Sequence, residues 1–221
     1  MKTLAFDVYG TLIDTTSVTQ QLERMVGQHA SAFSERWREK QLEYSFRRAL
    51  MKQYENFSVC TRQALDYTDT YFQTQLSAHQ KQQLLDSYRV LPAFPDVIPC
   101  LEQLKEKSIK MYAFSNGAAS AVEKLLDTAG MKEFFTDIIS TDEIQSFKPN
   151  PVVYQHLLKR TNSNAENTWL VSSNPFDVLG ADAVGLKSAW LKRNSSSIFD
   201  PWEQEPTINI RNLSELYSKL S

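Results

Sequence analysis

Ala5-Phe6-Asp7-Val8-Tyr9-Gly10-Thr11-Leu12 sets an aspartate at the end of an apolar run, with a turn directly after it. Thr3, Leu4, Ala5, Phe6 and Val8 read as a buried strand that ends near Val8, and Gly10 lets the backbone break away from it. Open α/β sheets gather their ligands beyond the carboxyl ends of the strands, so Asp7 stands where a functional carboxylate belongs. An ordinary acidic residue at a strand end is the alternative that this segment alone leaves open.

Outward from that strand the pattern changes. From about Thr16 to Arg89 the apolar residues recur at helical spacing, with almost no strand character. One stripe runs through Phe33, Trp37, Leu42, Phe46, Leu50 and Tyr54, a second through Ala64, Tyr67, Tyr71 and Phe72, and a third through Leu84, Leu85 and Tyr88. Gly27 and Tyr54-Glu55-Asn56 read as breaks between helices. Beyond Pro92, strands and helices alternate. Helices are expected at Val97–Glu106, Ala119–Ala129 (closed by Gly130), Val152–Arg160, Asp177–Val184 and Leu213–Leu220. Strands are expected at Ile109–Phe114, Asp137–Ser140, Trp169–Ser172 and Ser188–Leu191. Such alternation predicts an α/β fold, a Rossmann-like doubly wound parallel sheet with helices on both faces. The division that follows is a core of residues 1–14 plus 92–221, and an inserted helical-bundle cap of residues 15–91.

A length of 221 residues accommodates one sizeable core and one smaller insertion. The net charge of −2, without any basic run, gives no support for nucleic-acid binding or a membrane surface, so anionic ligands must be drawn by local cations. No apolar stretch is long enough to span a bilayer, and the first strand begins too early for a signal peptide, so the expected location is cytoplasmic. Cys60 and Cys100 make no disulfide framework or metal-ligand spacing and read as small buried hydrophobes. His29, His79 and His156 fit no motif: the first two read as exposed, the third as structural. No G-x-S-x-G elbow is present.

Three further stretches belong with Asp7: Phe114-Ser115-Asn116-Gly117, Phe147-Lys148-Pro149-Asn150-Pro151, and Val171-Ser172-Ser173-Asn174-Pro175-Phe176-Asp177. With the opening D-x-(D/Y/T)-G-T-(L/V) run they resemble the motifs of the haloacid dehalogenase superfamily in their usual order, over nearly the whole chain. Trp37-Arg38-Glu39-Lys40-Gln41-Leu42-Glu43-Tyr44 further resembles its type II branch, the L-2-haloacid dehalogenases.

The resemblance implies that Asp7 is a covalent nucleophile, displacing halide from a 2-haloacid to form an ester that water then hydrolyses. Lys148 would pair with Asp7 and the substrate carboxylate, and the Ser115 hydroxyl would donate to that carboxylate. Arg38 would reach from the cap to receive the halide, a role suited to a weakly hydrated cation that stays protonated. Thr11 would fix the Asp7 rotamer, and Asp177 would position Lys148 and the hydrolytic water, with Tyr154, Ser172 and Asn174 ordering the neighbourhood. Tyr9, Leu42, Phe57 and Phe176 would form the pocket for the halogenated end, with Val8 and Asn116 at its edge. Partners so implied are a small 2-haloacid, a halide ion and a second copy of the chain.

Two positions depart from the superfamily's phosphatases. Tyr9 stands where those carry an acid–base aspartate, and Ser173 where they carry a carboxylate for magnesium. Halide leaves without protonation, so no metal and no cofactor are expected. A phosphatase acting on a small phosphomonoester, and a non-catalytic binding protein on the same scaffold, remain the alternatives.

Overall fold

The structure, a computed structural model, describes residues 2–220. β1 (Thr3–Asp7) is buried along its whole length, as a central parallel strand covered on both faces must be. It pairs on one side with β2 (Lys110–Ser115) and on the other with β4 (Thr168–Ser172). With β3 (Asp137–Ser140), β5 (Lys187–Leu191) and β6 (Ile208–Ile210), they form a six-stranded parallel sheet of order β3-β2-β1-β4-β5-β6. The register sets Asp7 opposite Phe114 and Phe6 opposite Val171. Asp7, Ser115 and Ser172 therefore emerge side by side at the carboxyl ends of three adjacent strands, at the point where the strand order turns.

Between β1 and α5 (Val97–Glu106) lie four helices, α1 (Val18–Val26), α2 (Ala30–Met51), α3 (Phe57–Phe72) and α4 (Ala78–Ser87). Their boundaries have local causes. Asn56 caps α3 through the Val59 N–H, and Ser77 and Gln80 form a reciprocal capping box at the start of α4. The second helix ends at Met51, three residues short of Tyr54, because Lys52 takes a left-handed conformation (φ 56°). Tyr54 thus leaves the apolar stripe that the spacing predicts, stacks on Phe147 with ring centroids 4.9 Å apart, and hydrogen-bonds Asp142.

After α5 come α6 (Ala119–Thr128), α7 (Pro151–Thr161), α8 (Pro175–Asp182) and α9 (Leu216–Lys219). The three residues of β6 were not expected, since so short an edge strand carries too few side chains for a period to register. The closing helix is shorter than expected as well: a 3₁₀ turn at Leu213–Glu215 precedes α9.

The helical insertion leaves and rejoins the sheet through paired connectors. Gly10 (φ 81°) turns the chain, the Asp14 N–H donates to the Pro92 carbonyl at 2.8 Å, and the Phe94 N–H donates to the Leu12 carbonyl at 3.0 Å. Arg193 braces this junction. Its guanidinium donates twice to the Thr11 carbonyl, at 3.1 and 2.6 Å, and makes a bidentate pair with Asp96 at 2.7 Å. One continuous apolar cluster runs from Leu4 and Phe6 in the sheet to Phe33, Trp37 and Leu65 in the insertion, so both parts share a core. Cys60 and Cys100 are both buried and form no disulfide, as their apolar neighbours suggested, and Cys100 belongs to this cluster.

Candidate active site

The Asp7 carboxylate is held from three sides. Its Oδ1 accepts from Lys148 Nζ at 3.0 Å, and its Oδ2 accepts from the Thr11 hydroxyl at 2.7 Å and the Asn174 amide at 2.8 Å. Thr11 is itself fixed, since its Oγ1 accepts the Ser173 N–H at 2.9 Å. The Ser173 hydroxyl in turn donates to the Gly10 carbonyl at 2.8 Å and ties down the turn behind Asp7. Asn174 occupies the N-cap position of α8 but does not cap it; its side chain is committed to Asp7 instead. Ser172 Oγ accepts the Asn174 N–H at 3.2 Å and orders the same turn.

Lys148 is 1% exposed and connects two carboxylates. Its Nζ donates to Asp7, to Asp177 Oδ2 at 2.8 Å and to the Phe114 carbonyl at 2.9 Å, and sits 4.2 Å from the centre of the Phe114 ring. Burial works against its charge, and the Asp177 and Asp7 carboxylates outweigh that, so its pKa lies above the ordinary lysine value. Burial pushes the Asp177 carboxyl up, against the pull of Lys148. The Tyr154 hydroxyl donates to Asp177 Oδ1 at 2.8 Å, and burial followed by the Asp177 charge raises its pKa well above 10.0. Asn116 accepts the backbone N–H of Lys148 at 2.9 Å and the Thr141 hydroxyl at 3.2 Å, which fixes the loop that carries the lysine.

The Tyr154 contact requires Gly180, one turn after Asp177 on α8. A Cβ at this position would lie 2.7 Å from two carbons of the Tyr154 ring, and Tyr154 is fully buried. Alanine is intrinsically the better helix former by about 1 kcal/mol, but forcing a methyl into a packed core costs about 1–3 kcal/mol. Gly180→Ala is therefore expected to lower stability and, by shifting Tyr154 off Asp177, to reduce turnover about tenfold. Thermal melts and steady-state rates on the same preparation check this; an unchanged rate would show that the Tyr154–Asp177 bond is dispensable.

Tyr9, Arg38, Phe57 and Tyr88 line a cavity of about 390 Å³, which Asp7 does not itself line; Asn174, bonded to both Asp7 and Arg38, links the two. Arg38 makes one polar contact, from Nη2 to Asn174 Oδ1 at 3.5 Å, and has no carboxylate partner among the described residues. The Tyr9 hydroxyl is pushed up to about 12, by burial first and then by Tyr88, so it is a neutral donor. Ser115 Oγ accepts the Gly117 N–H at 3.1 Å, and its own proton has no acceptor among the described residues.

The expected apolar wall is divided. Phe57 faces this cavity, whereas Phe176 packs edge-on against Phe46, 5.1 Å between centroids, and lines a larger apolar cavity of about 830 Å³. Leu42 sits half-buried one turn beyond Arg38 on α2 and lines neither cavity. Val8 is buried, and its carbonyl collects the N–H groups of Thr11, Leu12 and Ile13.

Sequence reasoning missed Tyr88, Gly180 and the Arg193–Asp96 brace. Tyr88 reads as one more member of an apolar stripe, Arg193 lies outside every motif, and nothing near Gly180 announces that Tyr154 packs on it. Trp190, which lies in none of the motifs, donates from Nε1 to the Ser173 carbonyl at 3.2 Å.

Comparison with known proteins agrees with this arrangement. A family model described as a haloacid dehalogenase-like hydrolase matches residues 1–185. The (S)-2-haloacid dehalogenase of Pseudomonas fluorescens is 36% identical over 211 residues, covering 96% of this chain and 92% of that protein. Haloacetate dehalogenase H-2 of Moraxella sp. (strain B) is 32% identical, with 95% and 93% covered. The L-2-haloacid dehalogenase from Xanthobacter autotrophicus superposes with a TM-score of 0.91 at 30% identity, covering 100% of this chain and 98% of that one, and has also been solved with chloropropionic acid covalently bound. The chain thus belongs to the haloacid dehalogenase-like hydrolases, within the branch that holds the L-2-haloacid dehalogenases.

Proposed function

We propose that this protein hydrolyses short L-2-haloalkanoic acids to D-2-hydroxy acids through an ester on Asp7. The observation that carries the proposal is the setting of Asp7. A carboxylate fixed by Lys148, Thr11 and Asn174 is joined through Asn174 to Arg38, a cavity-lining cation that has no carboxylate partner among the described residues. The substrate carboxylate would be received by the Ser115 hydroxyl, with Lys148, whose three N–H bonds are already engaged, contributing its charge, and carbon 2 would be turned towards Asp7. An Asp7 oxygen forms the new C–O bond as the carbon–halogen bond breaks in line, and the halogen leaves with the bonding pair towards Arg38. Only one enantiomer places its halogen opposite Asp7. Water then adds to the Asp7 carbonyl carbon and the ester opens, one water proton passing to the leaving alkoxide and the other to solvent, so that the carboxylate returns and the inverted alcohol is released; Asp177 positions Lys148 throughout.

The donor set favours this reaction over phosphoryl transfer. Asp7 and Asp177 face a shared ammonium, and the position facing Asp7 from the last motif offers a serine hydroxyl already donated to Gly10. Magnesium prefers oxygen ligands that are anionic and unpaired, so these residues do not fit it. Chloride release from L-2-chloropropionate is expected to persist in excess EDTA. Loss in EDTA with recovery on adding magnesium would overturn this reading, as would p-nitrophenyl phosphate turnover with magnesium in place of dehalogenation, or no turnover of either substrate.

Residues 15–91 act, in the same proposal, as a cap that carries Arg38 to the core. The exposed Tyr67 and Tyr71 on α3 are consistent with a homodimer, which sedimentation would detect. Among the described residues no helix is long and apolar enough to cross a membrane, and a cytoplasmic location is part of the proposal.

A further inference from the structure

The cavity that Tyr9 and Arg38 line is rich in cations and holds no anion among the described residues: its lining has Arg38, Arg62 and Arg89, and no carboxylate. Arg89 is paired with Asp86 at 3.1 Å outside the lining, while Arg38 has only its long contact with Asn174. Two phenols complete the wall. Tyr9 makes no hydrogen bond through its hydroxyl among the described residues, and Tyr88 accepts one, from the Gln41 amide at 3.2 Å. Gln41 is fully buried on α2, one turn from Arg38, and the Trp37 ring meets Tyr88 edge-on at 5.1 Å. Tyr88 is thereby held in place, and in this orientation of the Gln41 amide, whose Oε1 is buried without a partner, the Tyr88 hydroxyl donates to no acceptor among the described residues. Burial raises the Tyr88 pKa, so the phenol keeps that proton across the working range.

We infer that Tyr88 is a second halide-facing donor, a catalytic residue that shares with Arg38 the charge developing on the departing halogen. The inference rests on the dehalogenase reading above and deepens it. No proton is transferred: as the Asp7 oxygen bonds to carbon 2, the electron pair of the carbon–halogen bond leaves on the halide, which accepts the Tyr88 O–H as a hydrogen bond. A neutral donor beside a guanidinium avoids the repulsion that a second cation would bring, and it acts most where the charge is densest. A hydrogen bond to a small halide is stronger than one to a large, diffuse one, so Tyr88 should matter more for chloride than for iodide.

Tyr88→Phe keeps the ring against Trp37 and removes only the hydroxyl. Expected is a loss of about tenfold in the single-turnover rate of halide release from L-2-chloropropionate. The loss should be smaller for 2-bromopropionate and under about twofold for 2-iodopropionate, with ester hydrolysis unchanged. Because the three halogens are compared on one preparation, any fraction of misfolded variant cancels from their ratio. Equal losses on all three would overturn the inference and place the Tyr88 proton on Gln41 as a structural bond. No loss on any would equally overturn it. If the unmodified protein releases no halide from any of the three, the dehalogenase reading itself has failed, and the two failures are distinguished.

Discussion

Asp7→Asn is expected to abolish turnover, lowering it by at least about 10⁴-fold. An amide oxygen cannot supply the electron pair that a carboxylate brings to carbon 2. The substitution is isosteric yet not silent for the fold. One oxygen of Asp7 faces the Lys148 ammonium at 3.0 Å, and the other faces both the Thr11 hydroxyl and the Asn174 amide. An amide NH₂ meets one donor in the first position and two in the second, which leaves at least one buried hydrogen bond unmade at a cost of about 1–3 kcal/mol. Single-turnover halide release, with a thermal melt on the same sample, reads both effects. Undiminished release by the asparagine variant would end the covalent mechanism. In ¹⁸O-water the unmodified protein should acquire label in the peptide carrying Asp7 over several turnovers, and label confined to the product would point to direct attack by water.

The second large effect concerns Lys148. Lys148→Met removes the one cation between Asp7 and Asp177 and leaves the Phe114 carbonyl without that donor. Breaking a buried ion pair from one side costs about 3–5 kcal/mol, a large share of a domain's total stability, and activity should fall to background. The pH dependence separates this account from simple loss of packing. Asp177 is already raised by burial, and without Lys148 the charge of Asp7 raises it further. A carboxyl whose folded pKa lies above its unfolded value binds more protons when folded, so the variant should lose stability as the pH rises above the ordinary aspartate value of 3.8 and through the raised folded value. In the unmodified protein the sign is that of a cation. Lys148 has a raised folded pKa, so its contribution is fully present below the ordinary lysine value of 10.5 and disappears only as the pH rises through the folded value. Melting temperatures measured for both proteins as the pH is raised test the argument, and parallel curves would refute it.

Much of the architecture was legible in the chain. The alternation of short apolar runs and helical stripes after Pro92 places four of the five strands that follow β1, and the parallel sheet follows from that order. Asp7, Ser115, Lys148 and Asp177 lie more than a hundred residues apart at the extremes, yet each sits at a strand end, in the loop that follows one, or in the first turn of the helix beyond it. For that reason their motifs foretell one another's company. What periodicity cannot register is β6, with three residues, or the end of α2, where a left-handed Lys52 turns Tyr54 away from its stripe.

Local pattern therefore determined which segments become strands and helices, and which strand ends carry a carboxylate, a hydroxyl or a lysine, because period and turn chemistry are properties of neighbours in sequence. Only the tertiary structure decided which donors meet which acceptors. Asn174 forgoes its cap for Asp7, and Ser173 is committed to Gly10. Tyr154 reaches Asp177 over a glycine that leaves it room, and Tyr88 joins Arg38 across a cavity from the turn that closes α4. Hydrogen bonds depend on tenths of an ångström between atoms that no sequence separation relates, and the shared core of sheet and insertion sets those distances.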